Sequence, residues 1–285
     1  MSAPVLTRAD MKRLLPPRPA DSHKGRNGKL LLFVGSSRYT GAALLCAAAA
    51  LRAGAGITTA AVPRDLKHAF AALPEVCCAP VGDGGEWNNA ALLQAAAMLA
   101  DSDALAMGCG MANCENESLL CAALDTNKPL VIDADGLNLL AAHPALLRRA
   151  LHDKVVLTPH PGEMARLTGR PAADIAKNAE DAARAAAGDW GCTVLLKGHV
   201  SHIAAGGRLI RSAAGNSGLA KGGSGDVLTG VIAALLAQGL TAFDAACLGA
   251  YLLGVSADRA YKALGERMLI ARDVISAVEN TIQRL

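Results

Sequence analysis

The chain of 285 residues contains few aromatic and few charged side chains. Three Phe, three Tyr and two Trp make up 3% of it, and Asp, Glu, Lys and Arg together make up 19%. Small aliphatic residues therefore have to build the core, which favours helices packed on a sheet over an aromatic-rich β architecture. The formal net charge is only +3 and no basic cluster stands out, which argues against nucleic acid as a partner.

Long apolar runs are also missing. The two longest candidates, residues 41–53 and 227–240, fall short of the roughly 20 apolar residues that cross a bilayer. The first 20 residues lack the apolar core of a signal peptide. We therefore expect buried helices at both places and no membrane partner.

Cysteine pairs at metal-binding spacing are absent as well. The eight cysteines form no Cys-x-x-Cys pair, and several of them lie inside apolar runs. Such a set is typical of reduced thiols that pack as small hydrophobes, and it predicts a cytoplasmic protein.

Two common nucleotide-binding motifs do not occur. Gly54-Ala55-Gly56 lacks the third glycine of the dinucleotide fingerprint, and it precedes a predicted strand rather than following one. No glycine-rich loop is closed by a lysine and a hydroxyl residue in the register of the Walker motif. Any phosphate site in this chain must therefore use another framework.

Short apolar runs alternate with alanine-rich helical runs along the chain. Near-continuous apolar strands separated by helices indicate an α/β fold with a mostly parallel sheet covered on both faces. We expect a single domain over residues 1–285. A Gly-Gly turn within residues 202–210 predicts an antiparallel edge hairpin. The other predicted strands are residues 29–35, 57–63, 104–108, 129–133, 154–158 and 193–198, and the predicted helices are 41–53, 90–100 and most of 226–285.

The most informative stretch is the glycine-rich segment 221–226, which precedes a long apolar run. Its three glycines let backbone N–H groups approach a ligand, and the N-terminus of the following helix favours an anion. Asp226 falls in the first turn of that helix. A carboxylate beside a phosphate cradle can take a proton from a hydroxyl that attacks the phosphate. The alternative is a plain turn with a helix-capping aspartate, and these residues alone do not separate the two.

Other residues suited to ligands follow the predicted strands. Because ligands bind at the carboxyl ends of the strands in such sheets, these loops are expected to converge on one rim. They are Gly35 with Gly41 and Ala42, Gly108-Cys109-Gly110, Asp133-Ala134-Asp135-Gly136, Thr158-Pro159-His160-Pro161-Gly162-Glu163, and Lys197-Gly198-His199.

Two of these stretches resemble signatures of the ribokinase-like fold. Gly223-Ser224-Gly225-Asp226 resembles its Gly-x-Gly-Asp element, and residues 158–163 resemble its Pro-Asn-x-x-Glu element, with His160 in place of asparagine. Over nearly its whole length the chain resembles, more narrowly, the ADP- or ATP-dependent NAD(P)H-hydrate dehydratases. The segments that match this family are 23–25, 39–43, 51–56, 132–138, 157–163, 196–198 and 225–230.

The resemblance implies a ribokinase-like three-layer α/β/α sandwich that forms a stand-alone dehydratase domain. The implied reaction is the nucleotide-driven loss of water from the (S)-hydrate of NADH or NADPH. It would consume ADP or ATP and release phosphate with AMP or ADP. The resemblance further implies Mg²⁺ as cofactor, small-molecule substrates as partners, and a homo-oligomer such as a tetramer.

The resemblance also implies roles for individual residues. Asp226 would be the general base, and Glu163 would hold Mg²⁺ through water. The hydrated cofactor would be bound by Ala42, Gly110, His160 and Asp226, and the nucleotide by Lys197, Gly198, His199, Val200, Ser201, Gly223 and Gly225.

Each of the polar positions also has an ordinary structural interpretation. His160 could be a satisfied structural histidine, Glu163 a helix cap, and Lys197 a solvated charge at the rim of the sheet. Asp133 and Asp135 have the spacing of a metal pair, although strand-end capping is the simpler role. The role of Asn138 stays open in the same way.

Two rival functions use the same features. A small-molecule kinase of this fold, acting on a sugar or a hydroxymethylpyrimidine, would need the same aspartate and cradle, but His160 and the His-Pro-Gly-Glu element favour the dehydratase. A non-catalytic nucleotide-binding module would not need a base at Asp226.

Overall fold

One mixed sheet organises the described part of the chain, which in this computed structural model comprises residues 3–112, 114–148, 151–265 and 267–285. Along the sheet the strands follow the order β3-β2-β1-β4-β5-β6-β7-β8-β9. Strands from β3 to β7 in that order pair in parallel, and β8 and β9 add the predicted antiparallel hairpin at the edge. The strands are β1 (Lys29–Phe33), β2 (Ile57–Pro63), β3 (Cys77–Val81), β4 (Ala104–Met107), β5 (Leu130–Ile132), β6 (Val155–Leu157), β7 (Thr193–Leu196), β8 (Ser201–Ala205) and β9 (Arg208–Ser212).

Helices cover both faces of this sheet. Side chains of α1, α2, α10, α11 and α12 belong to one buried cluster, and those of α3 to α9 belong to the other. The helices are α1 (Arg8–Leu14), α2 (Thr40–Arg52), α3 (Asn89–Ala96), α4 (Ser118–Asp125), α5 (Ala134–Ala142), α6 (Pro144–Arg148), α7 (Pro161–Thr168), α8 (Ala172–Lys177), α9 (Ala179–Trp190), α10 (Ser224–Ala237), α11 (Ala242–Leu264) and α12 (Ala271–Gln283).

Strand β1 is apolar along its buried part because both of its faces are covered by helices. Leu30 and Leu32 point into one cluster, and Leu31 and Phe33 point into the other. Successive side chains of a strand face opposite sides, so a strand covered on both faces has to be apolar throughout. The three-layer α/β/α arrangement predicted from the sequence is confirmed.

Helix α10 packs on α2 with the two backbones almost in contact. A Cβ atom at Gly230 would lie 2.1 Å from the carbonyl oxygen of Cys46, so only glycine fits at this crossing. The close packing fixes the N-terminus of α10 relative to the sheet. Among the described residues, no helix is both long and apolar enough to cross a membrane.

The sequence pattern does not predict every element. It misses strand β3, because Pro80 and two cysteines interrupt the pattern and the strand is only partly buried at the sheet edge. Helices α1, α4 to α6, α8 and α9 are also not among the predicted helices. The helix predicted over residues 90–100 ends at Ala96 and is followed by a short 3-10 turn, Leu99–Asp101.

Candidate active site

The glycine-rich loop leads directly into α10. Gly223 precedes the helix with a φ of 98°, a left-handed conformation that favours glycine. A Cβ atom there would lie 2.6 Å from Leu45 Cδ1. Among the described side chains, none caps this helix N-terminus. The N–H of Ser224 donates to the carbonyl oxygen of Lys221 at 3.5 Å, which leaves the N–H groups of Gly225 and Asp226 to bind an anion.

We expect Gly223→Ala to weaken nucleotide binding by about 5- to 30-fold, because a left-handed alanine costs roughly 1–2 kcal/mol and its Cβ displaces Leu45. Calorimetric titration with ADP measures the change. Gly222→Ala is the matched control, since a Cβ atom at Gly222 meets nothing within 4 Å. Equal affinities of the two variants would contradict the cradle at Gly223.

Asp226 lies in the first turn of α10, in an environment that disfavours its charge. Burial is the main cause that raises the pKa of this carboxyl to about 6, and the negative charge of Asp133 adds to the shift. A hydrogen bond from Cys109 and the positive charge of Lys197 act in the opposite direction. A carboxylate with this pKa is mostly ionised at neutral pH and is a stronger base than an exposed aspartate.

A buried ion pair lies beside Asp226. Lys197 Nζ donates to Asp133 Oδ1 at 2.7 Å, and Asp133 Oδ2 accepts from Thr229 Oγ1 at 2.8 Å. Asp133 is 1% exposed. Burial would lower the pKa of Lys197, but the charges of Asp133 and Glu163 outweigh it and hold that pKa above its usual value. Lys197 is therefore charged and fixed in place, and it is not the solvated rim residue of the alternative interpretation.

Glu163 and His160 form the N-terminal cap of α7. His160 Nδ1 accepts from the backbone N–H groups of Gly162 and Glu163, at 3.0 and 3.2 Å. Glu163 Oε2 accepts from the backbone N–H of His160 at 2.8 Å and lies 3.6 Å from Lys197 Nζ. Because Nδ1 accepts, the neutral ring carries its proton on Nε2. The half-exposed ring keeps that N–H near Glu163 Oε1, at 3.4 Å.

These contacts do not leave the carboxylate of Glu163 free to bind a magnesium ion directly. The carboxylate of Glu163 is 7% exposed, is used by the α7 cap, and faces the ammonium of Lys197. In the described ranges no group of three His, Cys, Asp or Glu side chains has the arrangement of a metal site. The prediction that Glu163 holds Mg²⁺ through water stays a prediction, while its capping role is observed.

Most of the predicted nucleotide residues border one cavity of about 440 Å³, a volume suited to a small ligand. Lys197, Gly198, His199, Ser201 and Gly225 line it, whereas Val200 and Gly223 do not contribute to its wall. The wall also includes residues that the sequence did not single out, among them Ser212, Asn216, Leu219, Leu228, Ala250 and Leu253.

Asn216 is held in the cavity wall by a residue that sequence reasoning missed. Asp258 of α11 accepts from the backbone N–H of Gly215 at 3.0 Å and from Asn216 Nδ2 at 2.9 Å. A Cβ atom at Gly254 would lie 2.4 Å from the carbonyl oxygen of Ala214, so this loop packs tightly on α11. No local sequence signal connects Asp258 to a segment about 40 residues earlier.

Two residues predicted to bind the hydrated cofactor lie together beside Cys109. Gly110 has a φ of 67°, and a Cβ atom there would lie 2.9 Å from Ala42 Cβ and 2.7 Å from Tyr39 Cβ. Cys109, its neighbour, hydrogen-bonds to Asp226. Ala42, Gly110 and Asp226 therefore share the same end of the sheet.

Asp135 and Asn138 have structural partners. Asp135 Oδ2 accepts from the backbone N–H of Ala112 at 2.8 Å, and Asp135 Oδ1 accepts from Asn138 Nδ2 at 3.2 Å. Asn138 Oδ1 accepts from Arg166 Nε at 2.9 Å. Burial raises the pKa of Asp135. Asp133 occupies the N-cap position of α5 without capping it, because its carboxylate turns towards Lys197 and Thr229.

The sheet order and the position of α10 match the ribokinase-like fold. A solved ribokinase-like superfamily protein from Enterococcus faecalis has the same fold, with a TM-score of 0.86, 24% identity, and coverage of 99% of this chain and 95% of that one. The family model described as NAD(P)H-hydrate dehydratase matches residues 30–280. The chain therefore belongs to the NAD(P)H-hydrate dehydratase family.

Individual relatives agree with this family. The ADP-dependent (S)-NAD(P)H-hydrate dehydratase of Neisseria meningitidis is 39% identical over 251 residues, which cover 85% of this chain and 80% of that protein. The ADP/ATP-dependent NAD(P)H-hydrate dehydratase of Bacillus subtilis, co-crystallised with ATP and Mg²⁺, has a TM-score of 0.84 and 29% identity, covering 100% of this chain and 99% of that one.

A longer relative, the bifunctional NAD(P)H-hydrate repair enzyme of Moorella thermoacetica, is 40% identical over 293 residues. The match covers 99% of this chain but 54% of that protein. The chain thus spans about half the length of the bifunctional relatives that it matches.

Proposed function

We propose that this chain dehydrates the (S)-hydrate of NADH or NADPH, restoring the reduced cofactor at the expense of ADP or ATP. The observation that carries the proposal is the position of Asp226, whose carboxylate lies in the first turn of α10 directly after the uncapped glycine cradle. The family model and the named activities of the relatives support the choice of reaction.

The reaction needs a better leaving group than hydroxide. Asp226 takes the proton of the ring hydroxyl while the terminal phosphoryl group of the nucleotide is transferred to that oxygen. The N–H groups around residues 223–225 stabilise the charge on the moving phosphoryl group. The nicotinamide ring nitrogen then pushes out phosphate, and the ring double bond forms with loss of a proton. The products are the reduced cofactor, phosphate and AMP or ADP.

The remaining side chains bind the two substrates. Residues 197–201 would contact the nucleotide, with the ammonium of Lys197 beside its phosphates. Ala42 and Gly110 would let the hydrated cofactor approach closely, and His160 would donate from Nε2 to it. Mg²⁺ would have no direct protein ligand; it would lie with the polyphosphate, whose charge it would neutralise, and Glu163 would contact it through water.

One assay tests the proposal. Purified protein is incubated with hydrated NADH, Mg²⁺ and either ADP or ATP, and the near-ultraviolet absorbance of the reduced nicotinamide is followed. We expect absorbance to return, and the effective nucleotide identifies the phosphoryl donor. Phosphorylated product without absorbance would instead indicate a kinase, and binding without either product would indicate a nucleotide-binding module.

The rate should depend on pH through Asp226. Because the base must be ionised, and its pKa lies at about 6, we expect kcat to rise tenfold per pH unit below pH 6 and to level off above it. The charged groups that act on this carboxyl are Asp133, Lys197 and Asp135, with Cys109 as a hydrogen-bond donor.

Initial rates at saturating substrates between pH 5 and 8 test this profile. Return to pH 7.5 after each incubation controls for irreversible inactivation. A constant kcat over that range would argue against proton transfer to Asp226 in the rate-limiting step.

We also propose a cytoplasmic homo-oligomer, such as a tetramer. The eight cysteines are all free thiols, four of them buried, which suits a reducing compartment. Several large apolar side chains are exposed, including Leu93 at 75% and Met268 at 70%, and subunit contacts would cover them. Light scattering of the purified protein measures the oligomeric state.

A further inference from the structure

One buried hydroxyl group in the wall of the cavity has no hydrogen-bond partner among the residues that the structure describes. Ser212, the last residue of β9, lines the cavity and is 4% exposed. Its Oγ makes no hydrogen bond to any group in the described ranges. Burying a hydroxyl group without a partner costs free energy, and a ligand that supplies the partner removes that cost. The position of this hydroxyl group therefore indicates a ligand atom that pairs with it.

Ser212 lies in a row of three cavity-lining residues that crosses the sheet. Ser201 pairs with Ser212 across β8 and β9, and the pairing of Leu196 with His202 sets Lys197 opposite Ser201. Since neighbouring strands are about 4.8 Å apart, Ser212 is about 10 Å from Lys197 along this row.

Lys197 marks the end of the row nearest the proposed phosphate cradle. A Cβ atom at Gly225 would lie 3.6 Å from Lys197 Nζ, so the ammonium is adjacent to the first turn of α10. Lys197, Gly225 and Ser212 line the same cavity, so one nucleotide can place its phosphates at the cradle and its sugar towards β9. Leu219, Leu228 and Leu253 form an apolar part of the cavity wall, which suits packing against the faces of a nucleobase.

We propose that Ser212 Oγ binds a ribose hydroxyl of the nucleotide and makes the site selective for ribonucleotides over deoxyribonucleotides. This inference rests on the proposed function for the identity of the ligand. A serine hydroxyl both donates and accepts, as a ribose hydroxyl does, so the two groups can pair in either direction.

The test compares the binding of ADP, 2′-deoxy-ADP and 3′-deoxy-ADP by calorimetry, in the wild-type protein and in Ser212→Ala. We expect the wild type to bind at least one deoxy analogue about 3- to 10-fold more weakly than ADP. The Ser212→Ala variant should bind ADP as weakly as the wild type binds that analogue, and it should bind the analogue with the wild-type affinity. The variant should also melt no lower than the wild type, because it removes an unpaired buried hydroxyl.

Thr58→Val is the matched control. Thr58 of β2 is 1% exposed, its Oγ1 has no hydrogen-bond partner in the described part of the chain, and it does not line the cavity. This variant should bind all three nucleotides like the wild type. Unchanged ADP affinity in Ser212→Ala, or an equal loss for all three nucleotides, would overturn the assignment, as would a wild-type protein that binds none of them.

The binding data and the dehydratase assay separate the two proposals. Ribose selectivity that depends on Ser212 in a protein without dehydratase activity would refute the proposed reaction and keep the assignment of Ser212. Dehydratase activity together with nucleotide affinities that Ser212→Ala leaves unchanged would refute the assignment of Ser212 and keep the proposed reaction.

Discussion

Asp226→Asn should abolish turnover while the nucleotide still binds. Loss of a positioned general base lowers kcat by about 10²- to 10⁴-fold, because the ring hydroxyl then keeps its proton during attack on phosphorus. Asparagine has nearly the same shape as aspartate, so the glycine cradle and the first turn of α10 keep their geometry. The measurements are kcat with hydrated NADH and the calorimetric Kd for ADP.

The same variant should be more stable than the wild type at neutral pH. The folded protein raises the pKa of Asp226 to about 6, above the usual value of 3.8 for an aspartate, so folding disfavours the charged carboxyl. The stabilisation from the protonated carboxyl of Asp226 is present in full below pH 3.8 and is lost as the pH rises through 6. Asp226→Asn should therefore gain about 2–3 kcal/mol of unfolding free energy at pH 7 and little at pH 4.

Asp244→Asn provides the control for both effects. Asp244 occupies the same position in the first turn of α11 that Asp226 occupies in α10, but it caps the helix together with Thr241 and does not line the cavity. This variant should keep full turnover. Turnover of Asp226→Asn within tenfold of wild type would remove Asp226 from the role of base.

The sequence predicts the positions of the loops better than the contacts between them. Each apolar strand is recognisable because it is buried on both faces, and the strand order brings the following loops to one rim. The glycines at positions 223 and 110 are informative because their positive φ angles disfavour other residues. Strand β3 shows the limit, since a half-buried edge strand with a proline lacks the apolar run.

The side-chain pairs within the site escape prediction for a different reason. Lys197 and Asp133 are 64 residues apart, and neither has a local signal that distinguishes an ion pair from a rim charge and a helix cap. Ser212 is part of a plain hairpin strand until the cavity beside it is known. Capping by His160 and Glu163 is the exception, because both partners lie within four residues of each other.

A second large effect, on the free energy of unfolding, is expected when the Lys197–Asp133 pair is broken. Lys197→Met keeps most of the side-chain volume but leaves the carboxylate of Asp133 buried with only Thr229 as a hydrogen-bond partner among the described side chains. Removing one member of a buried ion pair costs about 3–5 kcal/mol, so we expect a loss of that size in unfolding free energy at pH 7, measured without nucleotide.

Two comparisons identify the cause of that loss. Lys177→Met, on the exposed last turn of α8, should change stability by less than about 0.5 kcal/mol. The double variant Asp133→Asn/Lys197→Met should recover much of the loss, because a neutral amide needs no counter-charge.

The double variant separates lost charge pairing from lost packing. If the loss in Lys197→Met comes from an unpaired buried charge, replacing Asp133 by asparagine removes that charge and restores stability, whereas a packing defect at position 197 would persist in the double variant. A double variant that is as unstable as Lys197→Met, or wild-type stability of Lys197→Met at pH 7, would show that the pair contributes no charge-dependent stability to this site.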